Sequence, residues 1–399
     1  MSLPTRDGGS AQARHGSATA AHPQLVGVHR VDCCGPGDLS GVQALIDAGT
    51  LVPADIVAVM GKTEGNGCVN DHTREYASMA WSHLLAPHLG CTPLEAAQRV
   101  ALVMSGGTEG VLSPHFTVFT RRWLDEAAPA QHNAPRLVIG TAHTRDFAPT
   151  EIGRMAQIEA TAQAVREAML QAGIQRVEDV HFVQVKCPLL TSTKVQQALG
   201  ERLEPATRDT YESMGYSRGA SALGVALALE EVPAAKVNDA AVLRDWSLYS
   251  GRASASAGIE LDHNVVIVLG EARGAASPYR IAHTVMRDAV DAASVRKLLR
   301  ECFAIDPDRD EAGDEALSGR LVNLLAKAEA SPDGLVRGQR HTMLNDSDIN
   351  ATRHARAVVG GVLASIAGHT ALYVSGGAEH QGPAGGGPVA AILHVEDAV

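Results

Sequence analysis

Aromatic residues make up only 4% of this 399-residue chain, so its core must be mainly aliphatic. Cysteine is scarce. The six (Cys33, Cys34, Cys68, Cys91, Cys187, Cys302) show no CxxC spacing and no disulfide framework. That excludes a cysteine zinc site and fits a reducing, cytoplasmic compartment. Basic residues are outnumbered, 34 to 45, for a net charge of −11, which argues against a nucleic-acid partner. No run approaches the ~18 apolar residues of a membrane span, and no charged-then-apolar leader opens the chain. There is no GxSxG elbow and no arrangement suggesting a catalytic triad. No His/Cys cluster or EF-hand loop occurs.

What is present describes a soluble globular protein: 45% hydrophobic, 20% charged, and 39 glycines. The length allows two or three domain-sized units. Residues 1–23 are small and polar with no apolar period, and a disordered tail is expected there.

A pattern then recurs three times. The turns Ser105–Glu109 (SGGTE), Ser256–Glu260 (SAGIE) and Ser375–Glu379 (SGGAE) all fit S-[GA]-G-x-E. Each precedes a strand-like run: HFTVF, NVVIVL or VAAIL. Upstream of each, an apolar run ends in lysine: IVAVMGK (Lys62), FVQVK (Lys186) and LVNLLAK (Lys327). Between lysine and serine an arginine (Arg74, Arg218, Arg356) opens a stretch with amphipathic-helix spacing. The Lys-to-Ser separations are 43, 70 and 48 residues, the middle one lengthened by an insertion near 230–250. Units at 24–125, 135–272 and 280–399 follow. The Ser-Gly turns are expected to be hairpins or strand bends.

Serine needs a base before it becomes a nucleophile. A lysine whose pKa is depressed by burial can be that base. Arginine offers rigid donors to carbonyl oxygens or anions. Three such sets suit a small, flat, carbonyl-rich molecule with threefold character. Competing nucleophile and loop candidates are Cys187, the phosphate-loop-like PAGGGP run, and His181 and His380 beside the motifs. Cys33 and Cys34 are expected to be buried small hydrophobes.

The segments VMGKTEGNGCVNDHTREYA (59–77), MSGGTEGVLSPH (104–115), HFVQVKCPLLT (181–191), YESMGYSRGASALG (211–224), KAEASPDG (327–334), RHTMLNDSDIN (340–350) and YVSGGAEHQGPAGGGP (373–388) resemble the ring-opening amidohydrolases, the family of cyanuric acid amidohydrolase and barbiturase. The likeness runs from about residue 25 to the C-terminus. It implies an α/β fold of three units around a pseudo-threefold axis, with sheets inside forming a central barrel and helices outside. It implies hydrolysis of cyanuric acid to carboxybiuret, then biuret and carbon dioxide. The stretch around Arg218 looks like the cyanuric acid enzymes, whereas barbiturases depart from it there. A barbiturase, or a non-catalytic binder of planar cyclic amides, is the alternative.

By this resemblance Lys186 is the catalytic base and Ser256 the nucleophile. The S-[GA]-G-x-E register selects Ser256 over Ser254. Substrate contacts fall on Arg74, Arg218 and Arg356, and on Ser105–Gly106, Ser256–Ala257 and Ser375–Gly376. The residues themselves add a reason to prefer Lys186. Glu64 and Glu329 lie two positions after Lys62 and Lys327, on the same face if the chain stays extended, and would keep those lysines charged. Lys186 has no such acid. The C-terminal segment resembles the family's cation loop. Carried over, Glu329, Ala378, Gln381, Gly382, Pro383 and Gly386 would hold a structural Mg²⁺ or Ca²⁺ through oxygen ligands. No organic cofactor is expected, the substrate is the only small-molecule partner, and the family suggests a homotetramer.

Overall fold

The lysine-ending apolar runs become strands, and each segment contributes one four-stranded sheet. The computed structural model describes residues 22–125, 134–308, 317 and 319–395. The expected tail and most of the first join lie outside the described residues. The first segment holds β1 (Gln24–Asp32), β2 (Ile56–Thr63), β3 (Ala101–Gly106) and β4 (His115–Trp123). The second holds β5 (Arg136–His143), β6 (Val180–Cys187), β7 (Ala253–Ala257) and β8 (Val265–Ala272). The third holds β9 (Tyr279–Met286) and β10 (Leu321–Ala328), then a small ribbon of β11 (Leu335–Val336) and β12 (Gln339–Arg340), then β13 (Tyr373–Gly376) and β14 (Gly387–His394).

The sheet orders are β1-β4-β2-β3, β5-β8-β6-β7 and β9-β14-β10-β13. In each, the lysine strand pairs in parallel with the serine strand, and the other pairings are antiparallel. Parallel neighbours need a long crossover. Helices α2 (Thr73–Leu89) and α3 (Pro93–Arg99) supply it in the first segment. In the second, α5 (Ser192–Gly200) and α6 (Thr210–Ala228) follow α4 (Met155–Ala172). In the third, α8 (Ala351–Ala367) follows α7 (Ala292–Phe303). A short α1 (Ser40–Asp47) completes the described helices of eight or more residues. The crossovers account for the long Lys-to-Ser separations.

Four expectations change. Among the described residues there are four sheets and none closes into a barrel. Hydrogen bonding stops at the edge strands β3, β7 and β13, and the sheets meet instead through side chains. Val28, Met60, Val103, Ile139, Phe182, Ile267, Leu325 and Ile392 form that shared core. Second, the Ser-Gly turns are not hairpins, because β3 is separated from β4 by β2, and likewise in the other sheets. Third, Arg218 and Arg356 lie inside α6 and α8 rather than opening them. The Asp209 carboxylate accepts the Glu212 N–H and starts α6 well before Arg218. Fourth, α6 is buried on nearly every face rather than amphipathic. The insertion packs Val237, Ala241, Val242 and Leu248 against Ala220 and Leu223. On its other side α4 comes so close that a Cβ at Gly224 would sit 2.5 Å from the Ile158 carbonyl oxygen.

Candidate active site

The parallel registers place each lysine directly opposite its serine: Lys62 with Ser105, Lys186 with Ser256, and Lys327 with Ser375. All six are buried. Two pairs are linked to each other. Lys62 Nζ donates to Ser105 Oγ (3.3 Å), Ser105 Oγ to Ser375 Oγ (3.3 Å), and Lys327 Nζ to Ser375 Oγ (3.2 Å). The third pair stands apart. Lys186 Nζ donates to the Met104 carbonyl (2.8 Å) and lies 3.1 Å from Glu260 Oε1, while Ser256 Oγ has no hydrogen-bond partner.

Above the serines lies a small polar cavity. Arg74, Arg218 and Arg356 line it, with Ser105–Gly106, Ser256–Ala257, Ser375–Gly376 and Lys186. Every residue expected to contact substrate is therefore brought together. Gly67 and Met214 also line the cavity and were not anticipated. Nor were the acids that hold the arginines, although the motif's own last position carries them. Glu109 clamps Arg356 through two hydrogen bonds of 2.6 and 2.7 Å, and Glu379 clamps Arg218 likewise. Arg74 donates to the Cys68 carbonyl (2.9 Å) and lies 3.6 Å from Glu260. At Gly107 (φ 104°) and Gly377 (φ 76°) a Cβ would strike the Arg356 and Arg218 guanidiniums at 2.5 and 2.7 Å. Glycine is required there by both backbone and space.

The electrostatics correct the argument from neighbouring acids. Glu64 is exposed, and neither it nor Glu329 forms an ion pair with Lys62 or Lys327 among the described residues. Burial, aided by nearby arginines, pushes Lys62 and Lys327 well below the ordinary lysine range. Burial also lowers Lys186, but the Glu260 carboxylate opposes it. Glu260 itself would be raised by burial, and Lys186 and Arg74 hold it below the usual carboxylate value. The acid that matters to Lys186 comes from the serine turn, a placement that i+2 spacing along one strand does not reveal.

The competing residues sit elsewhere. Ser254 lies one strand repeat deeper, opposite Gln184, fully buried and outside the cavity. The Cys187 side chain is in the apolar core beneath α6, and burial raises its thiol. His181 meets His283 (2.8 Å) away from the cavity. His380 accepts the Leu243 N–H at Nε2, bonds the Leu248 carbonyl through Nδ1, and stacks on Trp246, tying the insertion to the C-terminal loop. The PAGGGP run leads into β14, not into a helix. Cys33 is buried as expected, but Cys34 is exposed.

The implied cation loop is compatible with an ion. Glu329 Oε2 is buried without a partner, and burial together with Glu379 pushes its carboxyl up to about 7. A cation would relieve both. Among the described residues no cluster of three or more His, Cys, Asp or Glu could hold a metal, so backbone carbonyls would supply most ligands. The Gln381 side-chain oxygen accepts the Ala255 N–H (2.6 Å).

Residues 27–394 match the family model described as amidohydrolase ring-opening protein. The chain is 61% identical over 368 residues to the cyanuric acid amidohydrolase of Pseudomonas sp. (strain ADP), covering 92% of this chain and 98% of that one. It is 59% identical over 373 residues to that of Bradyrhizobium diazoefficiens, covering 93% and 99%. A solved cyanuric acid hydrolase superposes with a TM-score of 0.89 at 60% identity, covering 94% of this chain and all of that one. The enzyme from A. caulinodans superposes with a TM-score of 0.84 at 50% identity over the same shares. With the family match spanning nearly its whole length, this chain belongs to the amidohydrolase ring-opening family.

Proposed function

We propose that the protein hydrolyses cyanuric acid, opening the triazine ring to carboxybiuret, which loses carbon dioxide to give biuret. The observation that carries this is the cavity: three arginines and three serines, one of each from every segment, around one small polar space. The relatives' names agree with it. In this reading the segments 24–125, 135–272 and 280–399 are three copies of one unit about a pseudo-threefold axis. Their shared strand order supports that.

Ser256 is the proposed nucleophile because its hydroxyl alone of the three has no protein partner. Lys186, directly opposite, takes the Oγ proton as Oγ bonds to a ring carbonyl carbon. Arginines and backbone N–H groups of the serine turns stabilise the oxyanion, a role worth roughly 3–4 kcal/mol per donor. The C–N bond breaks and the ring nitrogen receives the proton from the lysine ammonium. Water then releases the acyl group from Ser256. Glu329 and the carbonyls of Ala378, Gln381, Gly382, Pro383 and Gly386 would hold a divalent cation, which would fix the turn carrying Ser375.

Cyanuric acid presents three equivalent C=O and N–H corners to three polar sets. Barbituric acid replaces one N–H with CH₂, leaving one set unpaired at a cost of about 1–3 kcal/mol, or roughly 5- to 150-fold. Steady-state assays on both substrates test the reading. Cyanuric acid should be strongly preferred, and a kcat/KM for barbituric acid equal to or above it overturns the assignment.

A further inference from the structure

Each serine turn ends in a glutamate, and two of the three behave alike. Glu109 clamps Arg356 and Glu379 clamps Arg218, each with both carboxylate oxygens. The same pattern would pair Glu260 with Arg74, but that clamp is not made. Arg74 Nε stays 3.6 Å away without a hydrogen bond, and Glu260 Oε2 has no partner. Glu260 Oε1 instead lies 3.1 Å from Lys186 Nζ. The glycines record the same break. A Cβ at Gly107 or Gly377 would strike an arginine, whereas at Gly258 it would strike Glu260's own carboxylate at 2.2 Å. The middle carboxylate is folded back over its turn toward the lysine. Among the described residues, Lys186 alone of the three lysines has a carboxylate within 4.0 Å.

We propose that Glu260 is the positioning residue of Lys186, and that this broken clamp is what makes one of three lysine–serine pairs reactive. The proposal rests on the Lys186–Ser256 reading above. When Lys186 takes the Ser256 proton, its ammonium is held between Glu260 Oε1 and the Met104 carbonyl. The same proton then passes to the departing ring nitrogen, and Glu260 stays ionised throughout. The charged and titratable groups facing Lys186 are Glu260, Arg74 and the Cys187 thiol. Only Glu260 favours the ammonium as a permanent charge, since the thiol is kept neutral by burial. Lys62 and Lys327 donate to hydroxyls and carbonyls, and the turn glutamates that favour their ammonium forms, Glu109 and Glu379, act from beyond 4.0 Å and are clamped by arginines.

The test is the pH profile of cyanuric acid hydrolysis by wild type, Glu260→Gln, Glu260→Asp and Glu109→Gln, with melting temperatures measured alongside. The base must be neutral to act, so the acid limb of kcat reports Lys186. Removing the Glu260 charge lets burial and Arg74 lower that lysine further. The limb of Glu260→Gln should therefore move to lower pH by about one unit. Its plateau kcat should fall about tenfold or more through lost orientation, with KM little changed. Glu109→Gln should raise KM through Arg356 and leave the limb in place. If Glu260→Gln does not fold, Glu260→Asp carries the test. Its charge sits one methylene further back, so its limb should shift in the same direction by less, with reduced kcat. A folded Glu260→Gln with the wild-type limb, one indistinguishable from Glu109→Gln, or a Glu260→Asp identical to wild type overturns the proposal. Absence of wild-type turnover, or full activity of Lys186→Ala, overturns the underlying reading instead.

Discussion

Ser256 and Lys186 are small changes of environment away from four residues of the same type, and the difference is measurable. Ser256→Ala and Lys186→Ala are each expected to abolish turnover while leaving a folded protein. The double variant should lose little more than either single one, because the pair acts as a unit. Steady-state kinetics and melting curves check this, and full activity in either single variant contradicts it. Ser105→Ala should behave differently. It breaks the Lys62–Ser105–Ser375–Lys327 chain beneath the cavity, so KM should rise more than kcat falls. The serines and arginines were legible in the sequence because the motif repeats them. The roles of Glu109 and Glu379 were not, since their partners come from other segments: Glu109 and Arg356 are 247 residues apart.

At the scale of elements, the C-terminal loop joins the insertion to the serine strand of the middle segment. Gln381 accepts the Ala255 N–H and donates to the Gly377 and Glu379 carbonyls. Ser250 and Gln381 form a parallel bridge, and His380 holds both ends of a short turn in the insertion. Gln381→Ala leaves a buried N–H and carbonyls unpaired, at a cost of about 1–3 kcal/mol. A lowered melting temperature should appear before any change in chemistry. If the loop holds a cation, a chelator should lower it too, since a ligand bound only by the folded state stabilises that state. Unchanged melting with chelator and no ion by metal analysis contradicts the cation assignment. Strand β7 (ASASA) shows why some elements escaped notice. Alanine and serine are poor strand formers, and only pairing with β6 and the close packing of α6 make this a strand.

The whole molecule carries several histidines that its fold keeps neutral. Burial holds His115 and His181 down to about 3 and His283 to about 4, against an ordinary 6.5. Between those values the unfolded chain binds more protons than the folded one. Stability is therefore complete above about pH 6.5 and falls as pH drops through the window to 4, by up to roughly 1.4 kcal/mol per pH unit for each histidine. Melting temperature should be nearly level near neutrality and drop steeply from pH 6.5 to 4. His115→Gln should flatten that slope, and a level profile across the window contradicts the linkage.

Local order was written in the chain itself. Apolar β-branched runs ending in lysine, helix-length crossovers and a thrice-repeated serine turn follow from side-chain period and backbone preference, which act over a few residues. The same repetition named nearly all the residues around the cavity. What the sequence could not decide was asymmetry. Three nearly identical Lys–Ser sets are distinguished by contacts between residues far apart in sequence: across segments, two serines bonded to each other and two arginines clamped, and within the middle segment one carboxylate turned to a lysine instead. The number of sheets and their failure to close were settled in the same way, by side-chain packing between strands far apart in sequence. Burial and charge set the state of each buried group, and only the tertiary structure determines which groups are buried together.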